Sequence, residues 1–261
     1  MSPPVDWNSD EPVDADDAER AARAMTVRLV QTGHTGSEAV VNADGTGLEI
    51  TVAGAATDAE ANAIVEPLTI IGTVWFRPVI EGPLPPAADE TPSEYTPEIV
   101  GTGTTLPADD QPTTPPSEDN PEGTVLLAQP DPRDDSVVAR YEVGPAQVSG
   151  TTVVGTEVTT LEGYNAVKIV FEETADGLTA FNTLAESCKS EAATCPAGIY
   201  AVTYDGWVAT VSTVQPSSDT FTPFTQENVI VASPLWTSDF ARLLAVVIES
   251  GSLPVGLSPA A

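Results

Sequence analysis

Hydrophobic positions along the chain form two blocks of regular spacing, separated by a long stretch with few large apolar residues. In the first block, apolar side chains recur at helical spacing between residues 16 and 33, which predicts a helix that ends at a glycine. Two short β-branched runs around the turn-forming segment 42–45 predict a hairpin. A second helix, capped by Thr57 or Asp58, and a strand over 73–80 complete an α-β-β-α-β unit.

The second block again combines strands with helices. Segment 139–150, ARYEVGPAQVSG, predicts an opening strand and a turn that contains glycine and proline. Further strands and a helix over 174–189 follow, and then a hairpin that turns on Asp205 and Gly206, because an Asp-Gly pair tolerates the positive φ values of tight hairpin turns. An apolar helix that begins near Ser238 completes the block. Both blocks are therefore predicted to be α+β.

The stretch between the blocks, residues 81–136, is rich in proline and acid. Residues 83–132 hold twelve of the 24 prolines, and 81–136 hold thirteen acidic residues and one basic residue. Such a segment has too few apolar side chains to offset the entropy of ordering it. We therefore expect a disordered tether, within which VLLA at 125–128 is a candidate edge strand. We also expect residues 1–15 to form a disordered acidic tail in which Trp7 is exposed.

The chain is strongly acidic, with a net charge of −30 from 39 acidic and nine basic side chains. This balance argues against nucleic acid as a partner, because nucleic acids and anionic lipids are normally bound through clusters of Lys and Arg. We interpret the acidity as a feature that keeps the protein soluble or adapts it to a salty medium. The alternative interpretation is an acidic surface that binds a basic protein. No run of 18 apolar residues and no export signal is visible, so we expect no membrane span in this chain.

Residue types that usually carry catalysis or bind metals are scarce. His34, the one histidine, lies in a turn, where a solvated loop residue is favoured over a general base. Segment 14–19 lacks the central glycine of a calcium loop, and the glycine pairs lack the lysine of phosphate-binding loops. We therefore predict no catalytic residue, no cofactor and no metal. Cys188 and Cys195 favour a local disulfide in an oxidising compartment, with two unpaired thiols as the alternative.

Five short phrases stand out in order along the chain. They are the segment 22–41; Phe76, Arg77, Pro78 and Val79; Gly144, Pro145, Ala146, Val148 and Gly150; Asp205 and Gly206; and Gly251, Leu253, Pro254 and Val255. In this order they resemble the first periplasmic domain of SecD, a subunit of the accessory complex of the bacterial preprotein translocase. The proline-rich stretch also resembles insertions in the proteins of high-GC actinobacteria.

The resemblance implies an α+β fold made of two subdomains. A ferredoxin-like base would comprise residues 16–80 and 217–261, and a head at 137–216 would be inserted into it. The strand that opens this domain in the family has no visible counterpart in residues 1–15. We therefore expect an incomplete base sheet whose open edge invites a partner strand.

The resemblance also implies a function. It points to an extracytoplasmic, non-enzymatic module that binds unfolded or exported polypeptide, or components of the Sec translocase. Without the membrane helices of the family, this chain is not expected to couple a proton gradient to transport alone. Alternatively, it is a stand-alone envelope or secreted protein that uses the head fold for another binding or scaffolding role. A carboxylate-dependent hydrolase has no support, because nothing in the spacing of the 39 acidic residues locates a carboxylate pair.

Overall fold

Strands and helices follow one another through both halves of the chain in a computed structural model that describes residues 4–9, 13–69, 71–93, 111–134, 136–254 and 256–260. The helices within these residues are α1 (Ala15–Gln31), α2 (Asp58–Val65), α3 (Leu178–Lys189) and α4 (Ser238–Ser250). The strands are β1 (Val5–Ser9), β2 (Glu38–Val41), β3 (Gly47–Thr51), β4 (Val74–Leu84), β5 (Val125–Pro130), β6 (Val137–Val143), β7 (Val148–Ser149), β8 (Val153–Leu161), β9 (Tyr164–Phe171), β10 (Ile199–Tyr204), β11 (Trp207–Thr213), β12 (Ile230–Ala232) and β13 (Leu257–Pro259).

The chain divides into two units. Residues 1–73 and 242–261 form the first unit, and residues 74–241 form the second. In the first unit, four antiparallel strands are arranged in the order β13-β1-β3-β2. With α1 between β1 and β2 and a helical segment before β13, this is the strand order of a complete ferredoxin-like sheet.

The expectation of a disordered tail and an incomplete sheet is wrong at strand β1. Val5–Ser9 lies inside the sheet, between β3 and β13. Trp7, which was expected to be exposed, is only 1% exposed and belongs to the same apolar core as Leu48 and Ile50. The alternation of Val5, Asp6 and Trp7 has the two-residue period of a strand, but the acidic and proline-rich composition around it hid this short signal.

Helix α1 covers one face of this sheet and confirms the helix predicted over 16–33. Asp14 caps it, since its carboxylate accepts a hydrogen bond of 2.8 Å from the N–H of Asp17. The side chains on its buried face are mostly small, which brings the helix close to the sheet. They include Ala18, Ala21, Ala22, Ala24, Met25 and Leu29.

The second unit contains a larger antiparallel sheet in the order β11-β10-β4-β6-β5, and β7 pairs with the first residues of β4. The two edge strands β5 and β11 contact each other, so the sheet curls around its own apolar core. A smaller antiparallel sheet has the order β12-β9-β8.

Helix α3 joins the two sheets of the second unit through an aromatic cluster. Phe181 of α3 stacks on Phe171 of β9 at 5.0 Å between ring centroids, and its ring meets the rings of Phe76 and Tyr200 edge-on at 5.8 and 5.5 Å. Burial in this environment raises the pKa of Tyr200 to about 12. The cluster therefore links the helix to strands of both sheets.

The expectation that residues 81–136 form a disordered tether is wrong wherever this stretch is described. Strand β4 continues to Leu84, and β5 confirms the candidate strand at 125–128 by pairing with β6. A helical turn spans Pro116–Glu118. The part of the expectation that concerns 94–110 lies outside the described residues.

The division between the units also differs from the predicted boundaries. Strand β4, assigned by the sequence to the base, pairs with β6 and β10 and so belongs to the second unit. Residues 217–241 belong there too, because β12 pairs with β9. The predicted head at 137–216 is therefore the centre of a larger unit.

We expect Trp7→Ala to lower the free energy of unfolding by about 3–5 kcal/mol, because it empties a large buried volume beneath a central strand. Asp6→Ala is the matched control, since Asp6 is the exposed neighbour on the same strand, and should change stability by no more than about 0.5 kcal/mol. Urea unfolding followed by circular dichroism measures both values. Equal stabilities for the two variants would contradict a β1 strand packed on the core.

Candidate interaction surface

Two of the predicted motif segments lie side by side in the second unit. The guanidinium of Arg77 donates its Nε–H to the carbonyl oxygen of Gly144 at 2.8 Å, and the N–H of Gly144 donates to Pro78 O at 2.9 Å. The N–H of Gln147 donates to Phe76 O at 3.0 Å. The structure thus brings together residues that are almost seventy positions apart in sequence.

Glycines in these motifs permit close backbone approaches. A Cβ atom on Gly150 would lie 2.8 Å from Cβ of Val74, and one on Gly206 would lie 2.5 Å from Cα of Pro116. Asp205 and Gly206 have φ values of 44° and 78°, which confirms the predicted hairpin turn between β10 and β11. The glycines among these positions shape the backbone.

The other predicted motif residues do not gather into a common site. Pro145 is exposed on the turn after Gly144. In the first unit, Leu253 lies in the apolar core and Pro254 is half-buried beside it in sequence, whereas Val255 lies outside the described residues. The motif residues therefore support the fold of each unit.

Arg77 is fully buried and organises a segment within the proline-rich stretch. Its Nη1 lies 2.6 Å from the carboxylate of Asp119, and its Nη2 donates to the carbonyl oxygens of Asn120 and Gly123, each at 2.9 Å. Together with the bond to Gly144, the guanidinium makes four hydrogen bonds. The turn at 119–123 is therefore held by one side chain of strand β4.

Arg140 of strand β6 is also fully buried and binds further parts of the proline-rich stretch. Its guanidinium donates to Pro85 O at 2.5 Å and to the carbonyl oxygen of Gln111. Glu90 lies 3.9 Å from it, and the carboxylate of Glu90 also accepts a hydrogen bond of 2.6 Å from the hydroxyl of Thr113. Segments on both sides of residues 94–110 are thus held by the same side chain.

A carboxylate forms a second fixed point for this stretch. Asp131 accepts hydrogen bonds from the Nε–H of Arg133 at 2.7 Å and from the hydroxyl of Ser93 at 3.3 Å, and the N–H of Ser93 donates to Val137 O. The hydrogen bond from Arg133 is the main cause that lowers the pKa of Asp131, against the opposing effect of burial. Asp131 therefore stays ionised at neutral pH and keeps both partners.

Arg28 has the corresponding role in the first unit. It is fully buried in α1, and its guanidinium donates to Leu68 O at 2.7 Å, to Gly251 O at 2.9 Å and to the hydroxyl of Ser250 at 2.9 Å. No such role was predicted for Arg28 or Arg140. The available signal was an arginine inside an apolar run, as in TVRLV and VVARYEV.

The described residues contain little that could carry catalysis. They include no group of three His, Cys, Asp or Glu side chains placed to hold a metal ion. His34 is half-buried in the turn between α1 and β2. Among the same residues, no helix combines the length and apolar character that a membrane crossing needs. Cys188 and Cys195 form a disulfide between the end of α3 and the segment before β10, with their Cα atoms 4.8 Å apart.

Most edge strands of the described sheets are covered or short. The hydroxyl of Thr26 bonds to the backbone of Ala39 on β2, and Thr114 bonds to the backbone of Leu126 on β5. The indole of Trp236 donates to a carbonyl of β11, and the hydroxyl of Thr210 donates to a carbonyl of β12. Strand β13 has three residues and ends in a proline. Such features protect a sheet from unwanted pairing.

Strand β8 is different, and we call Val153–Leu161 the β8 edge. It has nine residues and pairs with β9 on one side, with no second strand beside it in the described sheets. From Val154 to Leu161 no residue is buried. It lacks Pro and Lys, which commonly protect edges.

Exposed apolar side chains cluster on the same hairpin. Val154, Val158, Leu161 and Tyr164 are each more than 40% exposed, and all belong to β8 or β9. Glu157 is the one charged residue of the β8 edge, and its carboxylate lies 3.9 Å from the ammonium of Lys168 on β9. The hairpin thus combines exposed apolar side chains with one exposed acidic side chain.

Two solved structures of SecDF resemble the chain in fold. A crystal structure of SecDF in a super-membrane-facing form has a TM-score of 0.62 at 16% identity, and the match covers 99% of this chain and 29% of that one. A structure of SecDF, described as a membrane component that enhances protein export, has a TM-score of 0.59 at 17% identity, and the match covers 99% of this chain and 98% of that one. No protein-family model and no curated protein matches the chain. The chain therefore has the fold of a portion of SecDF, as the sequence predicted.

We expect Arg77→Met to lower the free energy of unfolding by roughly 3–5 kcal/mol, because the buried carboxylate of Asp119 and several carbonyl oxygens lose their partner. The segment 111–124 should also become sensitive to limited proteolysis, which mass spectrometry of the fragments would detect. Arg23→Met is the matched control, since the side chain of Arg23 is 65% exposed on α1. If Arg77→Met resists protease and denaturant as well as Arg23→Met, the buried cation does not hold this segment.

Proposed function

We propose that this chain, with its SecDF fold, is an extracytoplasmic and non-enzymatic module that binds unfolded polypeptide in protein export. One observation carries the proposal: the likeness to SecDF extends over 99% of the chain and so includes both units. The matched protein is described as a membrane component that enhances protein export. A module of this kind needs surfaces that accept many sequences.

The second unit offers such a surface on the β8–β9 hairpin. Exposed apolar side chains, such as Val154 and Val158, offer contact area for the apolar side chains of an unfolded chain, whatever its sequence. Together these groups support weak binding of broad specificity, either to exported polypeptide or to extended segments of Sec translocase components.

The disulfide supports an extracytoplasmic location. Disulfides persist in oxidising compartments and are rare in the reducing cytosol. Closure of the short loop from Cys188 to Cys195 would stabilise the second unit by about 2.5 kcal/mol on the chain-entropy estimate. In an extracytoplasmic protein the disulfide persists, and so does its contribution to the stability of the second unit.

We expect the whole chain to bind a permanently unfolded polypeptide of near-zero net charge, weakly and saturably. Binding should persist in concentrated salt, because backbone pairing and apolar contacts are little screened. For a basic polypeptide, the additional attraction should fade as the Debye length falls from about 10 Å at 0.1 M salt to about 3 Å at 1 M. Fluorescence anisotropy of a labelled polypeptide measures both, and a natively folded protein of similar size and near-zero net charge is the control. No binding at millimolar concentration would favour the stand-alone scaffolding role.

Protein recovered from the cell envelope under non-reducing conditions should have the mass of the disulfide form, because an oxidising compartment keeps Cys188 and Cys195 joined. Intact mass analysis after alkylation of free thiols makes the measurement. A sample reduced before alkylation is the control and should gain two alkyl groups, one on each cysteine. Two alkylated thiols in the unreduced sample would argue against the proposed location.

A further inference from the structure

We propose that helix α3 and the end of strand β9 form a binding site for an extended polypeptide segment that carries a phenylalanine. We call Phe171, Phe181 and Asn182 the α3 site. The chain's own residues 215–228, which we call the strap, occupy this site as an internal ligand that a foreign segment displaces. The site rests on the function proposed above and gives it a location and a preferred ligand.

The strap is a long connection on the outside of the second unit. Residues 214–229 join β11 to β12 and contain no helix or strand, although the structure describes all of them. Val214 and Val229 are buried at the two ends, whereas no residue between them is buried. Connections of more than about 12–15 residues without secondary structure are uncommon in compact domains, and many of them serve as lids or binding loops. A segment with so few buried groups can detach without disrupting the core.

Asn182 of α3 binds the strap in the manner of a neighbouring strand. Its side-chain Nδ2 donates to the carbonyl oxygen of Phe224 at 3.0 Å, and its Oδ1 accepts from the N–H of Phe224 at 2.6 Å. A single side chain thus pairs both backbone groups of one strap residue. Every residue except proline offers the same two groups, so this contact makes no demand on sequence. It suits a site that receives polypeptides of many sequences.

The ring of Phe224 supplies the side-chain part of the recognition. It meets the ring of Phe181 edge-on at 5.4 Å between centroids, and Phe181 in turn stacks on Phe171 at 5.0 Å. Phe171 and Phe181 are fully buried, whereas Phe224 is half-buried and lies toward the outside of this aromatic series. Aromatic rings favour such edge-on contacts. The α3 site therefore prefers a phenylalanine at the position that Asn182 binds.

The remaining side-chain contacts of the strap come largely from its own glutamines. Gln215 pairs with both backbone groups of Thr222, at 2.5 and 2.9 Å, so it folds the strap back on itself. Gln226 donates to the carbonyl oxygen of Phe171 at 3.0 Å. Because both glutamines belong to the strap, they leave with it, whereas the α3 site remains on a helix and a strand. The receptor is thus built on regular secondary structure.

The charge of the strap favours its replacement by a foreign segment. The strap contains two acidic residues, Asp219 and Glu227, and no basic residue. In a chain with a net charge of −30, these carboxylates are repelled by their surroundings, which weakens the internal contact. A neutral or basic segment with a phenylalanine makes the same contacts without this repulsion. It must still compete with a tethered ligand of high effective concentration, so its binding to the wild-type protein is weak.

Removal of the internal ligand tests the site in the whole chain. The first probe is a fluorescent synthetic peptide that copies residues 219–228 with Asp219→Asn and Glu227→Gln, and the second probe also carries Phe224→Ala. We expect Phe224→Ala in the protein to tighten binding of the first peptide roughly tenfold, because the site is then open in a larger fraction of the molecules. The second peptide should bind this variant at least about tenfold more weakly than the first.

Phe240→Ala is the matched control, since Phe240 is a half-buried phenylalanine of the same unit whose ring contacts Tyr204 and Trp236. It should leave the affinity for the first peptide unchanged. Asn182→Ala, added to Phe224→Ala, removes the backbone partner and should weaken binding roughly tenfold relative to Phe224→Ala alone. Circular dichroism establishes that each variant is folded. Equal tightening by Phe240→Ala, or an unchanged affinity in the double variant, would overturn the site.

Amide hydrogen exchange of the wild-type protein detects displacement without any substitution. When the first peptide is added, exchange should increase within residues 215–228, because the strap leaves its place, while residues 178–189 stay protected. A peptide that binds elsewhere would leave exchange in the strap unchanged or lower it. Either of these two results contradicts an internal ligand at the α3 site.

The outcomes separate this site from the broader function. If neither the wild-type protein nor Phe224→Ala binds the first peptide or the unfolded neutral polypeptide, the proposed function itself fails. If the wild-type protein binds the unfolded polypeptide, but Phe224→Ala does not tighten that binding and exchange in the strap does not rise, only the α3 site is overturned. Tighter binding of the polypeptide to Phe224→Ala, together with release of the strap in the wild-type protein, supports both.

Discussion

The fold depends on the need to supply hydrogen-bond acceptors to buried guanidinium groups. Burial of an unpaired cation is very unfavourable, so Arg28, Arg77 and Arg140 each require several acceptors in fixed positions. In all three cases backbone carbonyl oxygens of irregular segments supply most of them. A planar side chain with five donors can bind several carbonyls at once, which a lysine cannot do with the same geometry.

This requirement explains how a proline-rich and acidic stretch becomes part of a folded unit. Proline has no N–H to donate, but its carbonyl oxygen remains a good acceptor, as that of Pro85 is for Arg140. Segments with few apolar side chains are therefore anchored by polar contacts to strands β4 and β6, whose other side chains form the core. The second unit consequently includes segments of the proline-rich stretch in addition to its apolar core.

Sequence patterns predicted the elements whose signals are local. Helix α1 and the turn at Asp205 and Gly206 follow from helical spacing and from turn chemistry, and the ordered motifs predicted the fold. The strand at Val5–Ser9 was missed because five residues give a weak period among prolines and acids. The acceptors of Arg77 are far away in sequence, so composition alone could not reveal them. The exposure of β8 likewise depends on strand order, which periodicity does not specify.

The charge balance of the chain also affects how quickly a partner is met. The three buried arginines leave few basic groups at the surface. Nine basic side chains minus these three leave six to reach the surface, against 39 acidic residues in the chain. The field around the protein is therefore almost uniformly negative, so cationic segments are drawn in from a distance before any specific contact forms. Encounter rates should be set by this field, and the lifetime of a complex by its short-range contacts. The large excess of acidic groups thus makes the protein a faster collector of positively charged partners.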